Sequence, residues 1–505
     1  MPQILLALVS AALLAAPYLD PRLFPLAWVA FVPLFWTVDR AKSWRSAVFY
    51  GWLMGTAAHL IGFYWLVYTI SAFGGFPYAV SVIIFIVYAA LQGVEVALFA
   101  LLIWIAGWGP MCLASPVFWV AIEFLFPLLF PWHVANSQVA FSWFIQTADL
   151  VGPYGASFIV VWFNAALYKL LSTCHVPEPN RVLALGFSTL AIVLSVVYGF
   201  ERLKTVEEEI VSAPKLATGA VQGNVDIDLK WDPILAQRNL DQHRKITDSL
   251  DSPTLVIWPE SAIEVFVPEN LPALPPEFMP SLKSPQSYFI FGAKSFRGAL
   301  GRPGMKAFNT AFFADAQGRI LGHYHKQVLL AFGEYLPFSR ILSLLPAMPL
   351  ADGFTPGDGP IVFPLSSSIR VAPLICYEDL MPDLSRKFVS ETHANLLVNL
   401  TNDAWYGRSV GPWQHLALAR SRAIETRRTL LRVTNTGVTS LVNAKGEVVK
   451  TLPMFTAAAM PAEVDILNGE TYYVRFGDWF AWAMSIASVL IILFSIQRWI
   501  RATNN

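Results

Sequence analysis

Long apolar stretches fill the first 200 residues of the chain, and a different pattern replaces them afterwards. A helix needs about 20 mostly apolar residues to cross a bilayer core. Candidate spans fall at roughly 3–19, 22–38, 46–70, 78–106, 111–130, 155–172 and 182–200, with an eighth near 477–497. Prolines in or near them (Pro25, Pro33, Pro127) are tolerated in membrane helices, and Trp and Tyr gather at many of the ends, as interfacial anchors do. The first stretch closes on LLAAP, which also fits a signal-peptide cleavage region. No basic segment precedes it, however, and the next apolar stretch starts almost at once, so a retained helix is expected.

From about residue 215, short runs rich in β-branched residues appear between turn formers. Strands are expected within 215–224, 254–261, 288–294, 309–315, 369–379, 395–403, 428–437 and 439–449. Helical patterns occupy 231–250 and 412–428 between them, which argues for a mixed α/β domain with buried sheets. DAQGR (315–319) and NAKGE (443–447) read as hairpin turns, and the Pro-rich 265–287 and Pro/Gly-rich 346–360 as loops. The expected plan is a membrane domain of seven helices over 1–200, an α/β domain over 215–467, and a last membrane helix with its tail over 470–501.

Charge sharpens this picture. Only 14% of the 505 residues are charged and 55% are hydrophobic, whereas a soluble chain carries about a quarter charged residues. Lys+Arg and Asp+Glu are both 35, and nucleic acid as a partner would need a basic excess. Residues 1–200 hold six basic side chains: Arg22, Arg40, Lys42, Arg45, Lys169 and Arg181. Loops 39–45 and 169–181 and the tail with Arg498 and Arg501 are basic, while loops such as 71–77 lack Lys and Arg. The positive-inside rule then sets the N-terminus inside and, after seven crossings, the polar block outside. In a bacterium with two membranes that is the periplasm. His59, Glu95, Glu123, His133 and Asp149 lie in or near the apolar spans without shared spacing, so bonds to neighbouring helices or interfacial positions are expected for them. No Arg-rich voltage-sensor pattern or inverted repeat is evident.

Reactive residues sit where strands end, the place where α/β folds mount chemistry. TLVIWPE ends on Glu260, APLICYED carries Cys376, and HKQVLLAFGEYLPF carries Lys326 and Glu334. Singly, these are a core thiol, a capping carboxylate and a solvated amine. Together they form a chemical set. A thiol attacks as thiolate, a carboxylate can take its proton, and an ammonium can hold the oxyanion of an acyl transfer. His323 and His325 precede Lys326, so a Cys–His dyad stays open. No CxxC or HExxH pattern appears, and His323-x-His325 is the one close His pair, so no metal is expected. No phosphate loop, dinucleotide fingerprint or G-x-S-x-G is present, and no cofactor is expected. Cys112, Cys174 and Cys376 are too few for a disulfide framework.

The polar block resembles the carbon–nitrogen hydrolase (nitrilase) superfamily through WPES (258–261), HKQVLLAFGEYLPF (325–338), APLICYED (372–379) and NLTNDAWYG (399–407). With eight apolar spans around it, the chain resembles the membrane-bound branch, the apolipoprotein N-acyltransferases. The resemblance implies a multi-pass helical membrane domain plus an α-β-β-α sandwich. It implies Glu260 as general base, Lys326 as stabiliser of the tetrahedral intermediate and Cys376 as nucleophile. Glu334, Tyr377 and Glu378 would support them, and Trp231, Asn309, Asp403, Trp405 and Tyr406 would lie on the substrate side. The implied reaction has two steps. Cys376 takes an acyl chain from a membrane phospholipid as a thioester, and the α-amine of a diacylglyceryl-cysteine at an apolipoprotein N-terminus receives it. The implied setting is a monomer in the bacterial inner membrane with its catalytic domain in the periplasm. Two other functions compete: a membrane-tethered amidase, which eight spans would exceed, and a transporter with an inactive binding domain, against which the intact trio argues.

Overall fold

The computed structural model describes residues 2–109, 112–172, 179–226, 233–335 and 353–503. The chain divides into two units, Met1–Thr205 with Phe476–Asn505, and Val206–Arg475.

The first unit contains helices and no strand among its described residues. Six of its helices are long and apolar enough to cross a membrane: Pro2–Leu19, Pro21–Asp39, Tyr78–Ala106, Tyr154–Ser172, Asn180–Ser212 and Trp479–Arg501. Trp44–Gly62 and Leu66–Ala72 meet at a 66° bend and make a seventh if they form one span. The expected span 111–130 is instead a 12-residue helix, Ala114–Leu125, about 18 Å long at 1.5 Å per residue against a core of about 30 Å. Pro127 explains the early stop. A residue before proline is pushed out of the helical region, and Phe126 sits at φ −78°, ψ 131°. Among the described residues, six helices, or seven with the bent pair, are thus long and apolar enough to span, against eight expected. Two of the ionisable groups noted in the sequence, Asp149 and Glu123, bond to neighbours. Asp149 accepts from Tyr198 Oη (2.7 Å) and Arg202 Nε (3.0 Å). Glu123 Oε1 accepts from Trp119 Nε1 (3.1 Å) and Val134 N (2.6 Å).

The second unit holds two sheets. The first contains β1 (Lys215–Gln222), β2 (Leu255–Ile257), β3 (Ile263–Pro268), β4 (Tyr288–Arg297), β5 (Lys306–Asp315), β6 (Ile320–His325) and β13 (Ala458–Asp465). Its order is β13-β1-β2-β4-β5-β6, with β3 paired to β4. The second contains β7 (Phe363–Pro364), β8 (Arg370–Ile375), β9 (Leu396–Thr401), β10 (Thr429–Thr434), β11 (Ser440–Val442) and β12 (Val448–Thr451), in the order β12-β11-β10-β9-β8-β7. Strands β8, β9 and β10 run parallel because helices Pro382–Thr392 and Gly411–Thr426 carry the chain back between them. Helix Pro233–Thr247 covers the first sheet, where Leu240 joins Trp258, Phe289 and Phe291 in one apolar core. Trp258 Nε1, buried in that core, donates to Thr247 Oγ1 at 2.9 Å. The sheets are tied face to face by Thr434 Oγ1 donating to Gln222 Oε1 (3.3 Å), Thr429 Oγ1 donating to the Asp465 carbonyl (2.9 Å), and Phe313 stacking on Phe363. This is the expected α-β-β-α sandwich.

The hairpin turns fall at 315–319 and 443–447, each closed by the side chain of its first residue on backbone N–H groups. The start of 265–287, expected as loop, belongs to β3. Ile263 and Val267 are buried while Val265 and Phe266 face outward, and Pro268 ends the strand, where a missing N–H does no harm. Of the loop expected at 346–360, residues 346–352 lie outside the described residues.

Candidate active site

Four strand ends converge on one buried cluster. Glu260 follows β2, Lys326 follows β6, Cys376 follows β8, and the 402–406 turn follows β9. Each preceding strand is apolar and fixed in its sheet, so the polar residue just beyond it is held rigidly. Glycine at 292 lets the Glu260 segment lie against β4. A Cβ there would stand 2.6 Å from Ser261 N and 2.7 Å from Glu260 Cα. Ser261 and Cys376 adopt φ of 50° and 53°, a left-handed conformation that costs a side-chain-bearing residue about 1–3 kcal/mol. The backbone therefore turns sharply at both the carboxylate and the thiol.

Lys326 is 1% exposed, and its Nζ lies 2.7 Å from Glu334 Oε2. Asn309 bridges the two carboxylates, its Nδ2 donating to Glu260 Oε1 and to Glu334 Oε1, both at 2.8 Å. Carboxylates accept only, so both contacts fix this atom as the amide nitrogen. Glu334 Oε2 also accepts from Leu330 N at 2.8 Å, which anchors its own loop. Burial works against the charge on Lys326, yet Glu334, Cys376 and Glu260 outweigh it and hold the ammonium above its usual pKa. Burial, then Glu260, push the Cys376 thiol up, while Lys326 and a hydrogen bond with Thr401 pull it down without cancelling the rise. The resting group is therefore a thiol beside a carboxylate and an ammonium.

Glu378 supports the Cys376 turn from beneath. It is fully buried and accepts four hydrogen bonds: Oε2 from Ile375 N (2.8 Å), and Oε1 from Tyr324 Oη (2.9 Å), Gln327 N (2.7 Å) and Val328 N (3.1 Å). It thereby ties the turn after β8 to the segment that follows Lys326. Burial pushes its carboxyl up to about 7, against Lys326 and those backbone donors. Tyr377 is buried, and its hydroxyl pKa is raised by that burial.

Two families match this chain: "Apolipoprotein N-acyltransferase N-terminal domain" over residues 10–166 and "Carbon-nitrogen hydrolase" over 240–471. An apolipoprotein N-acyltransferase of Geobacter metallireducens is 30% identical over 98% of this chain and 95% of its own length. One from Rickettsia prowazekii is 28% identical over 97% and 96%. The chain belongs to the apolipoprotein N-acyltransferase family. Among solved structures, an amidase from Nesterenkonia sp. matches 52% of this chain and 92% of its own at 18% identity and a TM-score of 0.33. Membership makes the chain an acyltransferase with a carbon–nitrogen hydrolase domain, the coarse part of what the sequence implied.

The substrate-side residues expected of such a family member divide. Trp231 lies outside the described residues. Asn309 is at the centre of the cluster. Tyr406 is buried and electrostatically coupled to Cys376, and Trp405 is half-buried beside it. Asp403 is 1% exposed and belongs to a buried charged quartet that sequence reasoning missed. His415 joins Asp403 Oδ1 through Nδ1 (2.9 Å) and Asp379 Oδ1 through Nε2 (2.8 Å). Arg432 Nε donates to Asp379 Oδ2 at 2.8 Å. Asp403 and Asp379 thereby tie the Cys376 turn to its neighbouring loop. A Cβ on Gly437 would stand 2.2 Å from Asp403 Oδ2, so only glycine fits there. His415 is one polar residue in an amphipathic pattern, and no local signal marked it. Among the described residues, neither His323 nor His325 hydrogen-bonds to Cys376. His325 instead joins Thr310 and Glu269, a carboxylate 56 residues away that spacing gave no reason to pair with it.

Proposed function

We propose that this chain moves a fatty acyl group from a membrane phospholipid to the α-amine of an N-terminal diacylglyceryl-cysteine on an apolipoprotein, through a thioester on Cys376. Glu260 takes the Sγ proton as sulfur attacks the ester carbonyl. Lys326, held by Glu334, which Asn309 in turn fixes, faces the charge that grows on the carbonyl oxygen. The tetrahedral intermediate collapses, the C–O bond breaks, and Glu260 returns its proton to the departing alkoxide, which leaves as lysophospholipid. The amine of the acceptor then attacks the thioester and gives a proton to Glu260. The C–S bond breaks, sulfur recovers the proton, and the amide product leaves. Tyr377 and Glu378 support the turn that presents the sulfur, and Asp403, Trp405 and Tyr406 lie on the substrate side. The protein works as a monomer in the bacterial inner membrane with its catalytic unit in the periplasm. With Ala114–Leu125 counted as a crossing, the basic loops 39–45 and 169–181 share the inner side, which favours that orientation.

The observation that carries the reading is the pairing of one buried thiol with a carboxylate and a carboxylate-anchored ammonium. Burial also suits a thioester, which must meet the amine before water. The test is intact-protein mass spectrometry after exposure to phospholipid, with lysophospholipid measured alongside. A fatty acyl adduct on Cys376 that disappears when a diacylglyceryl peptide is added supports the reading. Absence of the adduct, with small amides hydrolysed instead, would establish an amidase.

A further inference from the structure

We infer that Glu269, His323 and His325 form a binding site for a divalent transition-metal ion of the zinc class, separate from the Cys376 cluster. Their ligand atoms all lie within 4.8 Å of one another. His323 and His325 are i and i+2 on β6, so both imidazoles stand on one face. Glu269 is the first residue after β3, and its N–H donates to the Phe296 carbonyl at 3.1 Å, which fixes where its side chain begins.

Three features point to a ligand rather than to a simple ion pair. First, Thr310 Oγ1 lies 2.9 Å from His325 Nδ1, and Ser295 Oγ lies 2.6 Å from Thr310 Oγ1. A chain in which Nδ1–H donates to Thr310, and Thr310 to Ser295, leaves the Nε2 lone pair facing Glu269. Such a partner on the second nitrogen is the usual support of a metal-binding histidine. Second, His325 Nε2 and Glu269 Oε2 are 3.2 Å apart, close to the spacing of about 3.3 Å set by two ligands at about 2.0 Å from a tetrahedral ion. Third, no hydrogen bond of the His323 imidazole is found among the described residues. Arg297 Nε donates to Glu269 Oε1 at 2.5 Å, which leaves Oε2 for the ion. Arg297 is half-exposed, so water screens its charge. Burial lowers the pKa of both imidazoles, that of His325 to about 4, which favours the neutral form that ligates a metal. Two His and one Glu leave a fourth position for water. The ion would clasp the end of β3 to the strand that leads into Lys326, and its binding does not depend on the proposed reaction.

The test uses the full chain in detergent, purified without a polyhistidine tag and stripped with chelator. Zn²⁺ is titrated against a chromogenic competitor, and Co²⁺ is followed by its visible four-coordinate band. One equivalent of Zn²⁺ and the cobalt band are expected, with the Tm raised by Zn²⁺. His323→Gln should weaken binding at least tenfold and abolish the band, with the metal-free Tm unchanged. Thr310→Val should weaken it about 10–100-fold. If His323→Gln lowers the metal-free Tm, Glu269→Gln carries the same test. A wild-type chain that takes no Zn²⁺ from the competitor would overturn the site, as would wild-type stoichiometry in both His323→Gln and Glu269→Gln.

Discussion

The amide of Asn309 is the joint on which most of the proposed mechanism turns. Its one nitrogen holds the carboxylates of Glu260 and Glu334 at 2.8 Å each, and Glu334 in turn holds Lys326 at 2.7 Å. Asn309→Ala removes both bonds and leaves two negative groups facing a small void. A hydrogen bond to a charged group contributes about 1.5–3 kcal/mol. The two share one residue and will not add fully, so about 2–4 kcal/mol is the reasonable total. If that loss falls on the transition state, kcat/KM drops about 30- to 1,000-fold at 1.36 kcal/mol per decade. The assay is steady-state N-acylation of a diacylglyceryl peptide, with single-turnover acylation of Cys376 and a Tm as controls. Both half-reactions should slow, because base and ammonium act in each, while the Tm falls by only a few degrees. Activity within threefold of wild type would refute the idea that Asn309 sets the geometry of the pair.

Cys376→Ala and Cys376→Ser should both lack the acyl adduct while still folding; near-full turnover by the serine enzyme would end the thiol mechanism. Because residue 376 sits at φ 53°, Cys376→Gly should be more stable than Cys376→Ala by about 1 kcal/mol, read as a higher Tm. Lys326→Arg should lose about 100-fold or more in kcat, since a broad guanidinium does not fit a site shaped for an ammonium; acylation at the wild-type rate would count against the assigned role. Burial opposes charge on His415, but Asp379 and Asp403 outweigh it and raise its pKa above the ordinary 6.5. The folded state thus holds this proton more tightly than the unfolded one. The stability it contributes is complete below about pH 6.5 and is lost as pH rises through the raised value. His415→Gln should flatten the fall of Tm across that rise, and an unchanged pH profile would show that the quartet does not hold the proton.

Much of the architecture was legible because its signals are local. Apolar stretches of membrane length, short apolar and β-branched runs such as IRVAPLI, and turns such as NAKGE each describe their own segment. The helix-ending effect of Pro127 is equally local, yet hydropathy averaged over 111–130 hides it. The first strand of 265–287 was missed because its prolines read as loop, although Pro268 merely ends β3.

Sequence alone thus determined a helical, apolar unit, an α/β unit, and the strand ends on which Glu260, Lys326 and Cys376 stand. It did so because periodicity and apolar length are properties of neighbouring residues. Only the tertiary structure decided which distant side chains meet. The Asn309 bridge, the Asp379–His415–Asp403–Arg432 quartet and the Glu269–His323–His325 cluster join residues from different strands and loops. Their pairing follows from sheet order and register, which bring positions dozens of residues apart within hydrogen-bond reach, and no spacing along the chain encodes that distance.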